Sequence, residues 1–221
     1  MEQRSKVFLV EDHPLFRERL AHLINQDLSM TICGEAGSIA EALPLIIATK
    51  PDLAIVDITL RGSSGLELIK DMKAQGLHIP VLVLSMHEEG LYAERVLRAG
   101  AKGYISKTQA ATEVITAIRR VLSGAIYLSA AVTSKLLNKL SDRRTSADVS
   151  DMDKLTDREL EVFQHTGQGR NTREIAAQLH LGETTVETYR ARIKDKLQLR
   201  NAAELYQRAA QWVKDQGPTD T

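Results

Sequence analysis

The first 125 residues alternate between short β-branched apolar runs and segments of helical length. The runs are Val7–Val10, Met30–Cys33, Leu53–Val56, Val81–Leu84 and Tyr104–Ile105. Between them, apolar residues recur every three or four positions. The clearest case is Ala111, Val114, Ile115, Ile118, Val121 and Leu122, which mark one face of a helix. Phe16, Leu20, Leu23 and Ile24 mark another. Five strands alternating with helices predict a parallel sheet covered on both faces.

From Gly124 onward the pattern changes. Val132, Leu136, Leu137 and Leu140 form the apolar side of one more helix over 130–140. The stretch SDRRTSADVSDMD, residues 141–153, has no periodicity and few apolar groups, as a boundary between domains should. Beyond it only helical signals remain. Thr156-Asp-Arg-Glu159 reads as a capping box, and three more helices fit at about 172–180, 183–197 and 201–214. The expected organisation is an α/β domain over 1–124, a linker with one helix over 125–152, a helical domain over 153–217 and a tail over 218–221.

The composition, 43% hydrophobic and 26% charged, is that of a globular chain, and no apolar run is long enough to span a bilayer. The start, MEQRSKVFLVEDHP, offers an apolar core too short for a signal peptide, and Cys33 is the only cysteine. Both features lead to the expectation of a cytoplasmic protein without a membrane partner. The formal net charge is zero, so any nucleic-acid partner must be held by a local concentration of cations.

Candidate chemistry collects at the strand ends. Glu11 and Asp12 follow the first strand, Asp57 the third, Ser85 the fourth and Lys107 the fifth. In an open parallel sheet the C-terminal strand ends share one edge, and ligands bind there. Three carboxylates, a hydroxyl and an ammonium would then converge. Clustered carboxylates suit Mg²⁺, a cation with a strong preference for oxygen ligands. The metal and Lys107 would offset charge on an incoming phosphoryl group, with Asp57 as nucleophile and Ser85 as a hydrogen-bond donor. Taken singly, such an Asp is usually a turn residue and such a Lys a solvated charge; the conjunction favours a site.

The segments VFLVEDHPLFRERL, LAIVDITLRGSSGLELI, VLVLSMHEE and AGAKGYISK resemble the receiver domain of bacterial two-component response regulators, over about residues 5–123. The resemblance implies a flavodoxin-like, five-stranded, doubly wound parallel sheet. It makes Asp57 the acceptor that becomes a 4-aspartylphosphate, and Ser85 and Lys107 its catalytic partners. Glu11, Asp12, Asp57 and the Thr59 carbonyl become the Mg²⁺ ligands, and Ser85 and Tyr104 the switch pair. Arg61 departs from the proline common in the loop after the acceptor, which bears on loop stiffness and on the lifetime of the phosphoryl group. A rival reading, the haloacid-dehalogenase-type phosphatases, needs a second Asp two residues after the nucleophile; Thr59 stands there.

In the C-terminal part, basic and acidic residues balance, but Arg190, Arg192, Lys194, Lys196 and Arg200 cluster against Asp195 alone. At 100° per residue, Val186, Tyr189, Ile193 and Leu197 share one side of a helix. Thr184, Glu187, Thr188 and Ala191 take the other, flanked by Arg192 and Lys194. A face of short polar side chains edged by cations suits a helix laid in the major groove, and Gly182 is expected to supply the tight turn before it. On the last helix, Leu205, Ala209, Trp212 and Val213 form a stripe that reads equally as core or as a dimer seam.

The stretch from Leu155 to Leu205 resembles the four-helix, all-α helix-turn-helix domain of the LuxR/NarL family, with Thr156, Arg158-Glu159, Gly169, Glu174-Ile175-Ala176, Thr185-Val186 and Lys196-Leu197 in place. With the receiver, it makes the chain similar to NarL/FixJ-type regulators. The partners this implies are a sensor histidine kinase, double-stranded DNA, a second copy of the chain on phosphorylation, and RNA polymerase. The implied activity is phosphoryl acceptance with slow hydrolysis, not that of a conventional enzyme. Glu187 and Ala191 stand where some relatives are basic, so no relative's operator carries over. Two rivals remain: a phosphorylation-independent regulator, against which the intact acidic set argues, and a small-molecule sensor, which would need an apolar cavity. The six histidines show no metal-ligand spacing; His87 falls near the phosphoryl site.

Overall fold

The computed structural model describes residues 4–61, 63–86, 89–141 and 151–215. It divides into two compact units, Met1–Asn138 and Lys139–Thr221. His87, the central part of the expected linker (142–150) and the 218–221 tail lie outside the described residues.

The first unit is built on strands β1 (Ser5–Val10), β2 (Met30–Ala36) and β3 (Leu53–Asp57), then β6 (Val81–Ser85) and β7 (Gly103–Ser106). They form one sheet in the order β2-β1-β3-β6-β7, with every pairing parallel. Two very short strands, β4 (Thr59–Leu60) and β5 (Ser63–Ser64), pair antiparallel just after β3. Connecting helices are α1 (Pro14–Asn25), α2 (Ile39–Thr49), α3 (Gly65–Ala74), α4 (Glu89–Ala99) and α5 (Ala110–Leu122). Alternate strand residues point to opposite faces. Val7, Leu9, Leu53, Ile55, Leu82 and Leu84 thus share a core with Leu20 and Ile24 of α1 and with Val114, Ala117, Ile118 and Val121 of α5. Val114, Ile118 and Val121 fall where the sequence periodicity places them, with Ile115 and Leu122 half-buried beside them; Ala117 joins the core unforeseen, and Ala111, expected on the same face, is exposed.

Because the strands are parallel, β1, β3, β6 and β7 end at one edge. In register, Asp57 lies opposite Leu84, and Ser85 opposite Ser106. The Lys107 amide then donates to the Ser85 carbonyl at 2.8 Å, which fixes Lys107 just beyond β7. Gly65 is obligatory here: a Cβ at that position would run into the backbone oxygen of Asp57.

After α5 the chain returns along the outer edge of β7, where Tyr127 makes a parallel bridge to Gly103. The first residues of the expected linker are thereby tied to the receiver sheet, since an uncovered edge strand leaves backbone groups unpaired. Helix α6 (Ala130–Ser141) follows; Val132 is buried while Leu137 is exposed.

The second unit takes in the end of α6 and, from residue 151, a 3₁₀ turn, Asp151–Lys154, followed by α7 (Asp157–Gly167), α8 (Thr172–Leu179), α9 (Glu183–Lys196) and α10 (Ala202–Asp215). The Thr156–Glu159 capping box forms as predicted, and a second, Asn171 with Glu174, starts α8. The turn between α8 and α9 differs from expectation. Its left-handed residue is His180 (φ 52°), which closes α8, with the Leu181 amide returning to the Ala176 carbonyl. Gly182, at φ −77°, is the N-cap of α9.

Candidate functional site

At the shared strand edge, Glu11, Asp12, His13 and Asp57 offer ligand atoms within 4.8 Å of one another. Glu11, Asp12 and Asp57 are buried. The Lys107 ammonium joins two of them, at 2.8 Å from Asp57 Oδ2 and 2.7 Å from Glu11 Oε2. It lies 4.9 Å from the ring centroid of Phe16, whose face helps hold the cation in place. The Thr59 amide donates to Asp57 Oδ1 at 3.2 Å, so the residue expected to lend its carbonyl to a metal is anchored on the acceptor itself. Ser85 is buried at the end of β6, and Tyr104 is 1% exposed one strand over. The Tyr104 ring therefore already lies inside the protein.

Burial is the largest influence on Asp57 and, with the repulsion of Glu11, raises its pKa to about 7 against the pull of Lys107. Burial also works against the Lys107 ammonium, but Asp57 and Glu11 outweigh it and lift its pKa above the ordinary value. Lys107 is thus held charged beside a carboxylate that ionises reluctantly. Both oxygens of Asp12 are buried without a hydrogen bond. His13 Nδ1 lies 2.9 Å from one, outside hydrogen-bonding alignment, and Arg61 Nε lies 3.6 Å from the other. Buried carboxylate oxygens without donors are costly unless a cation faces them, so this donor set fits a hard divalent metal. His13 was not singled out by sequence reasoning. Its place directly after the acidic pair was the available signal.

In the second unit, Val186 and Ile193 are buried on the inner side of α9, with Tyr189 and Leu197 half-buried beside them. Thr184, Glu187, Thr188, Ala191 and Arg192 are exposed, and Lys194 is half-buried. The basic cluster resolves into two groups. Arg190 turns inward: it donates to Thr172 Oγ1 at 2.8 Å and Glu187 Oε1 at 3.1 Å, and lies over the Tyr206 ring. Lys196 binds Glu159 at 2.7 Å, where its charge and the Thr156 hydrogen bonds hold that carboxyl below the usual range despite burial. Arg200 pairs with Glu204. Arg192 and Lys194 make no ion pair among the described residues. Glu187 also accepts from Thr172 Oγ1 at 2.6 Å, a tie between α8 and α9 that the sequence did not disclose. The α10 stripe is core: Leu205 and Ala209 are buried, and Trp212 packs on Phe163 of α7 with centroids 5.6 Å apart.

Fold and site define a two-part regulator, an acidic-edge α/β domain carried with a helix-turn-helix domain. The response regulator receiver domain family matches residues 7–119, and the bacterial regulatory proteins of the luxR family match residues 153–209. A putative transcriptional regulator of Pseudomonas aeruginosa is 37% identical, over 91% of this chain and 95% of that protein. The transcriptional activator protein ExaE of Pseudomonas putida is also 37% identical, over 90% and 92%. The solved signal receiver domain of the putative response regulator NarL from Mycobacterium tuberculosis is 32% identical with a TM-score of 0.53, covering 55% of this chain and 98% of that one. An RcsB–DNA complex, 22% identical with a TM-score of 0.56 over 94% and 99% of the chains, shares the fold. The chain belongs to the NarL/FixJ-type, LuxR-family response regulators, DNA-binding regulators of transcription. Among the described residues, no helix is long and apolar enough to cross a membrane.

Proposed function

We propose that Asp57 receives a phosphoryl group from a sensor histidine kinase and that this controls pairing of the chain on DNA. The observation that carries the reading is Lys107, held between Asp57 and Glu11 next to an Asp12 without hydrogen bonds. An oxygen of Asp57 forms the new bond to phosphorus, and the bond to the kinase imidazole nitrogen breaks with its electrons staying on the imidazole. Such transfer depends on positioning and charge. Lys107 draws Asp57 toward its ionised form against the burial that resists it, and faces the charge brought by the phosphoryl group. Glu11, Asp12, Asp57 and the Thr59 carbonyl would hold Mg²⁺, which supplies further positive charge to the phosphoryl oxygens. Ser85 donates to one of those oxygens, and Tyr104 follows Ser85 in passing the change to the surface. Hydrolysis of the aspartyl phosphate is a slow reaction of the same site.

The receiver spans 1–124, a linker with one helix 125–152, the DNA-binding domain 153–217 and a tail 218–221. Thr184, Glu187, Thr188 and Ala191 face base edges, while Arg192 and Lys194 contact phosphates. The protein works in the cytoplasm, and RNA polymerase is its further partner at a promoter. The test is direct: with acetyl phosphate and Mg²⁺ the protein gains the mass of one phosphoryl group, and Asp57→Asn or a chelator abolishes the gain. Uptake by Asp57→Asn at the normal rate overturns the assignment.

A further inference from the structure

We infer that Arg61 is a positioning residue of the acceptor site, a built-in cation that competes with the divalent metal for Asp12. The inference rests on the metal-binding reading above. Three observations support it. The Arg61 guanidinium reaches Asp12 Oδ2 at 3.6 Å, with a side chain 66% exposed on a carboxylate 1% exposed. Arg61 is also not on a wandering loop. It lies between β4 and β5, where Thr59 pairs with Ser64 and Leu60 with Ser63. Leu60 is buried, the Thr59 amide binds Asp57, and Ser64 accepts from the Leu66 amide at the start of α3. The small hairpin therefore fixes the root of the Arg61 side chain relative to the acceptor. Finally, neither Asp12 oxygen has a hydrogen bond of its own, so Asp12 is free to exchange one cation for another.

The balance between the two cations follows from charge and geometry. A guanidinium at 3.6 Å, largely in solvent, is a weak, screened partner. A divalent ion brings twice the charge to the same oxygens and is the stronger one. Metal entry then displaces Arg61 rather than being blocked by it, and the displacement reduces the apparent affinity. A cation held this way sets how much Mg²⁺ is needed before the site is competent.

The experiment titrates Mg²⁺ into full-length wild type, Arg61→Ala, Arg61→Lys and Asp12→Asn at constant ionic strength, read by melting-temperature shift and calorimetry without phosphodonor. Arg61→Ala should bind Mg²⁺ about two- to fivefold more tightly, the range of an exposed ion pair. Arg61→Lys should fall between it and wild type, Asp12→Asn should lose binding, and added NaCl should narrow the gap between Arg61→Ala and wild type. Unchanged or weaker Mg²⁺ binding by folded Arg61→Ala, while wild type binds and Asp12→Asn does not, overturns the role of Arg61 alone. Absence of Mg²⁺ binding in wild type and Arg61→Ala alike overturns the metal reading and this inference together.

Discussion

The backbone amide of Tyr104 donates to the carbonyl of Tyr127 across 2.9 Å, so the strand carrying Tyr104, the proposed switch aromatic, is bonded to the segment that leads out of the receiver. The Tyr127 amide returns to the Lys102 carbonyl at 2.9 Å, and its hydroxyl donates to Glu113 of α5 at 2.7 Å. A Cβ at Gly103 would sit 2.8 Å from Leu82 and 3.1 Å from Tyr127, so the bridge requires glycine there. Any shift of β7 around Tyr104 must move or break these bonds.

Tyr127→Phe should accordingly destabilise the receiver by about 0.5–1.5 kcal/mol, the net value of one hydrogen bond. Gly103→Val should cost more, because backbone on one side and Leu82 on the other leave its side chain no room. Urea denaturation of the receiver measures both. If Tyr104 signals through this edge, Tyr127→Ala should keep phosphoryl uptake and lose phosphorylation-dependent DNA binding, as Ser85→Ala should. Unimpaired stimulation in either variant counts against the corresponding step.

The Asp57 pKa has a sign that can be tested. Its folded value of about 7 lies above the ordinary 3.8. Between those values the native protein holds more protons than the unfolded chain, so stability without metal falls as pH rises from about 4 to 7. Lys107, raised above its ordinary value, stays charged throughout this window. Asp57→Asn removes the reluctant carboxylate and should flatten that decline. Melting temperatures in chelator at pH 5 and pH 8 should converge in the variant relative to wild type, and Mg²⁺ should bind wild type more tightly as pH rises through 7. Parallel pH profiles for the two proteins would refute the shift.

Most of the fold was legible because α5 keeps a helical period and the central strands are short continuous apolar runs, as strands buried on both faces must be. Helix α2 was not singled out. Leu45 and Ile47 are exposed while Ala42 and Ile46 are buried, and Pro44 stands inside the helix, so its apolar pattern has no clean face. The acidic edge was legible for a topological reason: parallel strands bring their ends together whatever the loops do. What escaped were contacts between elements with no period, namely Arg61 on Asp12, Tyr127 on Gly103, and Arg190 turned inward among cations that looked alike. The second capping box, Asn171-Thr-Arg-Glu174, carries a signal as readable as the first.

The Thr172–Glu187–Arg190 cluster separates two roles for Glu187. If Glu187 accepts from a cytosine amino group, Glu187→Ala should relax preference at one base pair by about 1–3 kcal/mol. If it mainly locks α8 to α9, Thr172→Ala should reproduce its effect, and the double variant should add little to either single one. Binding to a set of operators differing at single positions, together with melting curves, distinguishes them. A change in base preference with Glu187→Ala but not with Thr172→Ala assigns the reading role.

The segment from about 150 to 221 should bind DNA as a pair on adjacent half-sites, more freely than the unphosphorylated whole protein. If Thr184, Glu187, Thr188 and Ala191 are the face that one α9 turns to a groove, they offer too few contacts to specify a genomic site, and two copies about a dyad double them. The pairing surface is not the Leu205–Trp212 stripe, because that stripe is the core between α10 and α7. Trp212→Ala should therefore destabilise the domain, by about 2–4 kcal/mol for a partly exposed indole, rather than yield a folded monomer. Trp212 is the only tryptophan, so its fluorescence reports unfolding of this unit directly. Arg192→Ala and Lys194→Ala should weaken binding to all sequences and lower the salt slope by about one unit each. Footprints of the truncated domain and of the intact protein, with and without phosphodonor, test the arrangement. A single unpaired half-site, or tighter binding by the unphosphorylated full-length chain, would show that the receiver does not act by restraining this pairing.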